Sequence, residues 1–118
     1  MSKRALKLYL EDIISSIKNI GDYIKGMAFE EFIHDRKTVD AVVRNLEIIG
    51  QAARNIPQEV TVKYHDIPWR EMVSMRNKVL HEYFGVDIEI LWKTIQEDLP
   101  GLKEKIKGLP EVRGIKQE

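Results

Sequence analysis

Apolar residues recur at Leu6, Leu10, Ile13, Ile17, Ile20 and Ile24, in alternating steps of four and three. That spacing predicts a helix with one continuous apolar seam, leaving Lys7, Glu11, Lys18 and Asp22 for solvent. Gly26 is a suitable stop. The stretch MAFEEFIHD (27–35) has room for one turn of helix and a connection. A second long helix is expected over 38–55. At about 100° per residue, Val39, Val42, Val43, Leu46, Ile49, Gly50 and Ala53 share one of its sides, and Asp40, Arg44, Glu47 and Gln51 another. Ala41, Ile48 and Ala52 widen the apolar surface, so this helix can meet more than one neighbour. Internal packing accounts for that more simply than a subunit contact.

Pro57 ends the second helix, and PQEVTVKYHDIP (57–68) reads as a connector with space for a short helical turn. Asp66 followed by Pro68 signals the start of a third helix over roughly 68–84. Gly85 is expected to close it and Asp87 to cap a fourth, whose apolar residues are Ile88, Leu91, Trp92, Ile95, Leu99, Leu102 and Ile106. Pro100-Gly101 falls inside that run and is expected to kink or break it. Beyond Leu109 the apolar period is lost. One domain over 1–110, with a flexible tail at 111–118, is the resulting division. No internal repeat or convincing strand alternation is present, so the fold class is all-α: an antiparallel four-helix bundle with an extra short helix.

The totals narrow the functional classes. A chain of 118 residues with 43% hydrophobic and 32% charged residues suits one soluble, helix-rich domain. Nineteen Lys+Arg balance nineteen Asp+Glu, so no global field draws the chain to nucleic acid or anionic membrane, although a local cleft can still be basic. The absence of cysteine excludes disulfides, thiolate catalysis and Cys-based zinc sites. The first twenty residues carry charges throughout and have no continuous apolar run. Neither a signal peptide nor a membrane span is therefore expected there, and a cytoplasmic location is the default.

Candidate chemistry concentrates in MRNKVLHEYFG (75–85). On a helix, Asn77 and His81 lie four apart and about 40° from alignment, so Asn77 can bond one imidazole nitrogen and leave the other free. Arg76 lies about 140° from His81 and joins it only by wrapping round, by a loosened helix end, or through a second subunit. Histidine exchanges protons near neutral pH. Arginine presents a planar fork of donors to phosphate or to a phosphorus centre gaining negative charge. Together they suit phosphodiester chemistry without a metal or other cofactor. An imidazole can deprotonate a 2′-hydroxyl while a second acid protonates the leaving 5′-oxygen. A two-fold dimer would supply two histidines to one cleft.

Spacing alone is a weak signal and favours an ordinary polar helix edge with a surface salt bridge. His34 (FIHDR) and His65 (YHDIP) read as solvated loop residues. No histidine pair has metal-ligand spacing with a carboxylate, and no phosphate-cradling glycine loop or G-x-S-x-G is present.

The chain resembles the HEPN superfamily of helical bundles and, within it, the HepT toxins of two-gene toxin–antitoxin modules. Their hallmark is Arg, a polar residue, spacers and His, extended to R-x4-H-x-Y; Arg76, Asn77, His81 and Tyr83 fill it without departure. DRKTVDAVVRNLEIIGQAARNIP (35–57), IPWREMVSMRN (67–77), HEYFGVDIEILW (81–92) and DLPGLKE (98–104) also resemble recurrent stretches of the family, in the same order. The resemblance spans residues 5–107. It implies a HEPN-type bundle forming a two-fold homodimer, and a metal-independent RNase whose composite site lies where two motifs meet. Arg76 would hold the phosphate, His81 would be the acid–base and Asn77 would orient it. The resemblance further implies a cognate minimal nucleotidyltransferase antitoxin that transfers AMP to Tyr83.

Between Pro68 and Tyr83, Arg70, Arg76 and Lys78 face Glu71 and Glu82, a net of only +1. That is thin for a general RNA binder and suits a short or structured target such as one loop of a tRNA, with Lys78 and Arg70 as further RNA contacts. Two other readings stand beside the nuclease. The chain could be a non-catalytic HEPN partner, or nucleotide-binding subunit, of a minimal nucleotidyltransferase. It could also be a structural helical dimer whose motif is an interface network.

Overall fold

The computed structural model describes residues 1–82 and 88–114, the side chains of 76–82 excepted. The expected stop at Gly85 and cap at Asp87 lie outside the described residues. The first helix, α1 (Lys3–Ile24), opens on Ser2, whose Oγ accepts the Ala5 N–H at 3.0 Å. Its whole seam, from Leu6 to Ile24, is buried. Each such Leu or Ile contributes about 1.5–3 kcal/mol relative to exposure, so the seam alone holds α1 against the bundle. The chain leaves through Gly26, whose φ of 77° lies in the left-handed region that glycine adopts without strain.

A short helix, α2 (Phe29–His34), occupies the stretch expected to hold one turn. Its Phe32 is fully buried. His34 is the last residue of this helix and is exposed, rather than sitting in a loop. Asp35 then starts α3 (Arg36–Arg54), with its carboxylate accepting the Thr38 N–H at 3.1 Å. That hydrogen bond holds the Asp35 pKa below the usual carboxylate range. A depressed acid stabilises the fold above its unfolded pKa, and the contribution is lost as pH falls through the folded one.

Helix α3 is packed by α1 and by α5 (Trp69–Glu82), with α2 across its start. Val39, Val42, Leu46, Ile49, Gly50 and Ala53 are buried as expected, while Val43 is half-buried. Ala52 is buried too, and Ala41 and Ile48 are half-buried, so the wider apolar surface serves internal packing in part. Asn45 is the polar exception in this contact. Its Nδ2 donates to the Ala41 carbonyl at 2.9 Å and its Oδ1 accepts from Asn19 Nδ2 at 3.3 Å, which satisfies an amide that burial would otherwise penalise.

The connector forms α4 (Gln58–Lys63) and then a turn into α5. Helix α5 starts one residue later than expected. The Pro68 carbonyl accepts the Met72 N–H at 3.1 Å, and the missing Pro68 N–H is one that no helix start needs.

The expected break at Pro100-Gly101 does not occur. Helix α6 (Ile88–Lys93) passes through a π-helical turn (Thr94–Asp98) directly into α7 (Leu99–Lys107). A proline inside regular α-helix removes one hydrogen bond and presses on the preceding turn. Here the turn before Pro100 is widened, with the Leu99 N–H donating to the Thr94 carbonyl five residues back. Pro100 thereby falls in the first turn of α7, where its missing donor costs little.

The segment expected to be loose from residue 111 instead begins with α8 (Pro110–Arg113), packed on α1 and α7. The described residues contain helix and no strand, in an all-α bundle of the expected class. None of the described helices is long and apolar enough to cross a membrane. Replacing Phe32 by Ala is expected to cost about 3–5 kcal/mol, because a buried ring leaves a cavity. Tyr23→Ala, at a side chain 44% exposed, should stay within about 0.5 kcal/mol. Urea unfolding of the two variants checks the contrast.

Candidate functional site

The arginine–asparagine–histidine stretch rides on α5, so the site depends on what holds that helix. Trp69 and Met72, in its first turn, are buried against the core. Trp69 Nε1 also donates to the Tyr64 carbonyl at 3.0 Å, so the indole anchors both apolar area and backbone. Tyr64 is itself tied down, its hydroxyl lying 2.8 and 3.1 Å from the two Glu111 carboxylate oxygens on α8. Lys105 Nζ on α7 reaches the Asp66 carbonyl at 3.3 Å. The start of α5 is thus held by both C-terminal helices. Asp66 serves here through its main chain, and no described hydrogen bond puts its carboxylate on the helix start.

The chain is anchored again on α6. Leu91 is buried, and the Trp92 ring packs on Phe32 and Phe29 at centroid distances of 4.9 and 6.1 Å. Sequence patterning placed Trp92 in the fourth helix without revealing that α2 receives it.

The α5 backbone is helical through Glu82, which fixes the register of the stretch. Arg70, Ser74, Asn77 and His81 fall within a stripe about 60° wide. Arg70 and Ser74 are exposed, which identifies the stripe as the outward one. Lys78 stands about 60° from His81 around the same outward half. Arg76 falls on the opposite half, between the registers of Trp69 and Met72, both buried. One chain therefore brings the Asn77 and His81 positions onto a common stripe and sets the Arg76 position apart from it. The side chains of Arg76, Asn77, Lys78 and His81 lie outside the described residues, as does Tyr83 altogether.

A groove of about 650 Å³ runs along the base of this helix, between the end of α3, the connector and the first turns of α5. Arg54, His65, Asp66, Arg70, Glu71 and Val73 line it. His65 is exposed, as expected, but it faces a groove and not merely bulk solvent. Arg54 and His65 were not singled out together by the sequence, because nothing in their spacing connects a helix end to a turn eleven residues on. A second hollow of about 680 Å³, bordered by Pro57, Val60 and Pro110 at the start of α1, shares no residue with α5. Among the described residues no group of three His, Cys, Asp or Glu is placed to hold a metal ion.

The family model described as Ribonuclease HepT-like matches residues 13–109. A protein of Thermococcus cleftensis named "Probable ribonuclease HepT" is 50% identical over 107 residues, which cover 91% of this chain and 97% of the relative. A protein of Methanocaldococcus jannaschii, named as a candidate RNase, is 41% identical over 107 residues, covering 91% of this chain and 98% of its own. Another so named, from Caldanaerobacter subterraneus, is 42% identical over 101 residues, covering 86% and 90%. No solved structure gives a significant match.

If Trp69 fixes the base of α5 as its contacts indicate, Trp69→Phe should lower stability by about 1–2 kcal/mol through the lost hydrogen bond and contact area. Arg70→Ala, at an exposed position one residue on, should stay within about 0.5 kcal/mol. Urea midpoints of the two variants measure the difference.

Proposed function

This chain belongs to the Ribonuclease HepT-like family, and on that premise we propose how it acts and how it is controlled. It is a ribonuclease of the HEPN type. The reading beyond that is a metal-independent endoribonuclease acting as the toxin of a two-gene toxin–antitoxin module, with a composite site across a two-fold homodimer.

The register of α5 is the observation that carries this reading. Asn77 and His81 share the outward stripe while Arg76 stands on the other half of the helix, so a single helix does not place all three side by side. A second copy laid against the first supplies what is missing, and a two-fold axis does so reciprocally. In the cleft between copies, His81 takes the proton from an RNA 2′-hydroxyl. The 2′-oxygen forms a bond to the adjacent phosphorus and the bond from phosphorus to the 5′-oxygen breaks. His81 of the partner subunit gives its proton to that leaving oxygen, so the products are a 2′,3′-cyclic phosphate and a 5′-hydroxyl. Arg76 holds the phosphate as negative charge accumulates on it, and Asn77 fixes the imidazole tautomer.

Control falls to Tyr83. A minimal nucleotidyltransferase antitoxin presents ATP, whose α-phosphorus forms a bond to the tyrosine oxygen. Pyrophosphate leaves and the phenol proton passes to solvent. The AMP ester then adds negative charge and bulk where RNA phosphate would sit. The local charge of +1 between Pro68 and Tyr83 suits a short or structured RNA, a tRNA loop being one such target.

The same low charge supports a second reading, a non-catalytic HEPN partner or nucleotide-binding subunit of the nucleotidyltransferase. Incubation with total cellular RNA in excess EDTA separates the two. The wild-type protein is first checked by mass spectrometry for unmodified Tyr83. The nuclease reading expects cleavage by wild type and a loss of about 10²-fold or more in His81→Ala, the range for removing a general acid–base. Intact RNA with unmodified wild type would contradict it and favour the binding subunit.

A further inference from the structure

We propose that the groove at the base of α5 is a binding subsite for single-stranded RNA, with Arg54 and Arg70 holding backbone phosphates of the strand whose cleavage takes place at the motif. The inference rests on the ribonuclease reading and adds to it where the substrate lies.

The groove leads to the motif. Val73 lines it, and Arg76 and Asn77 follow Val73 by three and four positions, so they occupy the next turn on neighbouring registers, about 5–6 Å away between Cβ positions. Arg70 shares the outward stripe with Asn77 and His81, and about 16 Å of helix separates the Arg70 and His81 positions. A nucleic-acid strand crossing His81 and continuing toward the N-terminus of α5 therefore runs into the groove. No other described hollow shares a residue with this helix.

The lining has the chemistry for such a strand. Arg54, at the end of α3, and Arg70 on α5 border the groove from two elements, and both are exposed. Among the described residues neither has an ion-pair or side-chain hydrogen-bond partner, and neither does His65 between them. Two unengaged guanidinium forks, brought to one groove by two elements, suit backbone phosphates, which arginine meets in bidentate geometry.

Asp66 and Glu71 also line the groove, and their charge would repel a phosphate. They are acceptors for the amino groups on exposed base edges instead, while His65 offers an imidazole face for stacking. Arginines for the backbone and carboxylates for the bases require a strand whose base edges are free. A duplex hides them, so the ligand is single-stranded. This arrangement also accounts for a groove that binds RNA on a chain of zero formal net charge.

Arg54 has a plain alternative role, since a cation at a helix C-terminus stabilises the helix dipole. That role affects stability and leaves RNA affinity untouched, so the two are separable. The probe is a short single-stranded 2′-O-methyl oligonucleotide, which the 2′-hydroxyl mechanism cannot cut, with binding followed by fluorescence anisotropy over a salt series. Arg54→Gln and Arg70→Gln are each expected to weaken binding several-fold and to reduce the slope of log affinity against log salt by about 0.7, the value for one phosphate contact on a single strand. Arg54→Lys should restore most of that slope. Lys18→Ala, which removes the same charge from the solvent face of α1, should change neither quantity. On a cleavable RNA the glutamine variants should raise KM and leave kcat near wild type.

Wild-type binding and cleavage with an unchanged slope and KM in both glutamine variants would overturn the groove while leaving the ribonuclease reading intact. If the wild-type protein neither bound the oligonucleotide nor cut RNA, both would fall.

Discussion

The packing of α3 between α1 and α5 is the constraint on which the rest of the structure depends. One side of α3 must bury Leu46, Ile49 and Ala53, and the apolar seam of α1 covers part of that surface. What remains is covered by α5, whose contribution in the described part is mainly Trp69 and Met72. Among its described side chains, helix α5 joins the core through Trp69 and Met72, with Val73 and Met75 packed against it, while Arg70 and Ser74 are exposed. The register that buries Trp69 and Met72 also sets the Asn77 and His81 positions in line with the exposed Arg70 and Ser74, because all of them belong to one continuous helix. A shift of one residue in the start of α5 would turn that stripe by about 100° and move the chemistry with it.

This dependence gives meaning to the ties around the connector. Trp69 Nε1 on the Tyr64 carbonyl, Tyr64 on Glu111, and Lys105 on the Asp66 carbonyl all act on the few residues that set where α5 begins. On the far side of the motif, Trp92 on Phe32 and Phe29 gives the returning chain a fixed point. The π-helical turn belongs to the same economy of positions. It lets 88–107 remain one helical stretch across Pro100, so the Trp92 anchor and the α7 contacts of Leu99, Leu102 and Ile106 stay in one element.

Much of the bundle was legible in the sequence because helical periodicity reports burial directly. The α1 seam and the main face of α3 read as buried from spacing alone, and, the half-buried Val43 aside, they are. The break expected at Pro100 failed because a single proline can be absorbed by widening the turn before it, a choice that tertiary packing makes and a one-dimensional pattern does not display. Short α2 and α8 carry too few residues for a period to show, and the burial of Phe32 depends on a contact with Trp92 that local sequence does not display. For the site, the relation among Arg76, Asn77 and His81 followed from helix geometry, and the resemblance supplied their chemistry. The Arg54–His65–Arg70 groove was not legible, since it joins a helix end, a turn and a helix start that approach only in the folded chain.

The central claim is that the chain cuts RNA through its 2′-hydroxyl, with imidazole moving the proton. A single RNA that the wild-type protein cleaves in EDTA, prepared also with a 2′-O-methyl group at the scissile nucleotide, tests it most directly by mass spectrometry of the products. A 2′,3′-cyclic phosphate end from the unmodified strand, and no cut at the methylated position, is the result the account predicts. Cleavage of the methylated strand at the same bond and a similar rate would contradict it, because the attacking oxygen would then have to come from elsewhere.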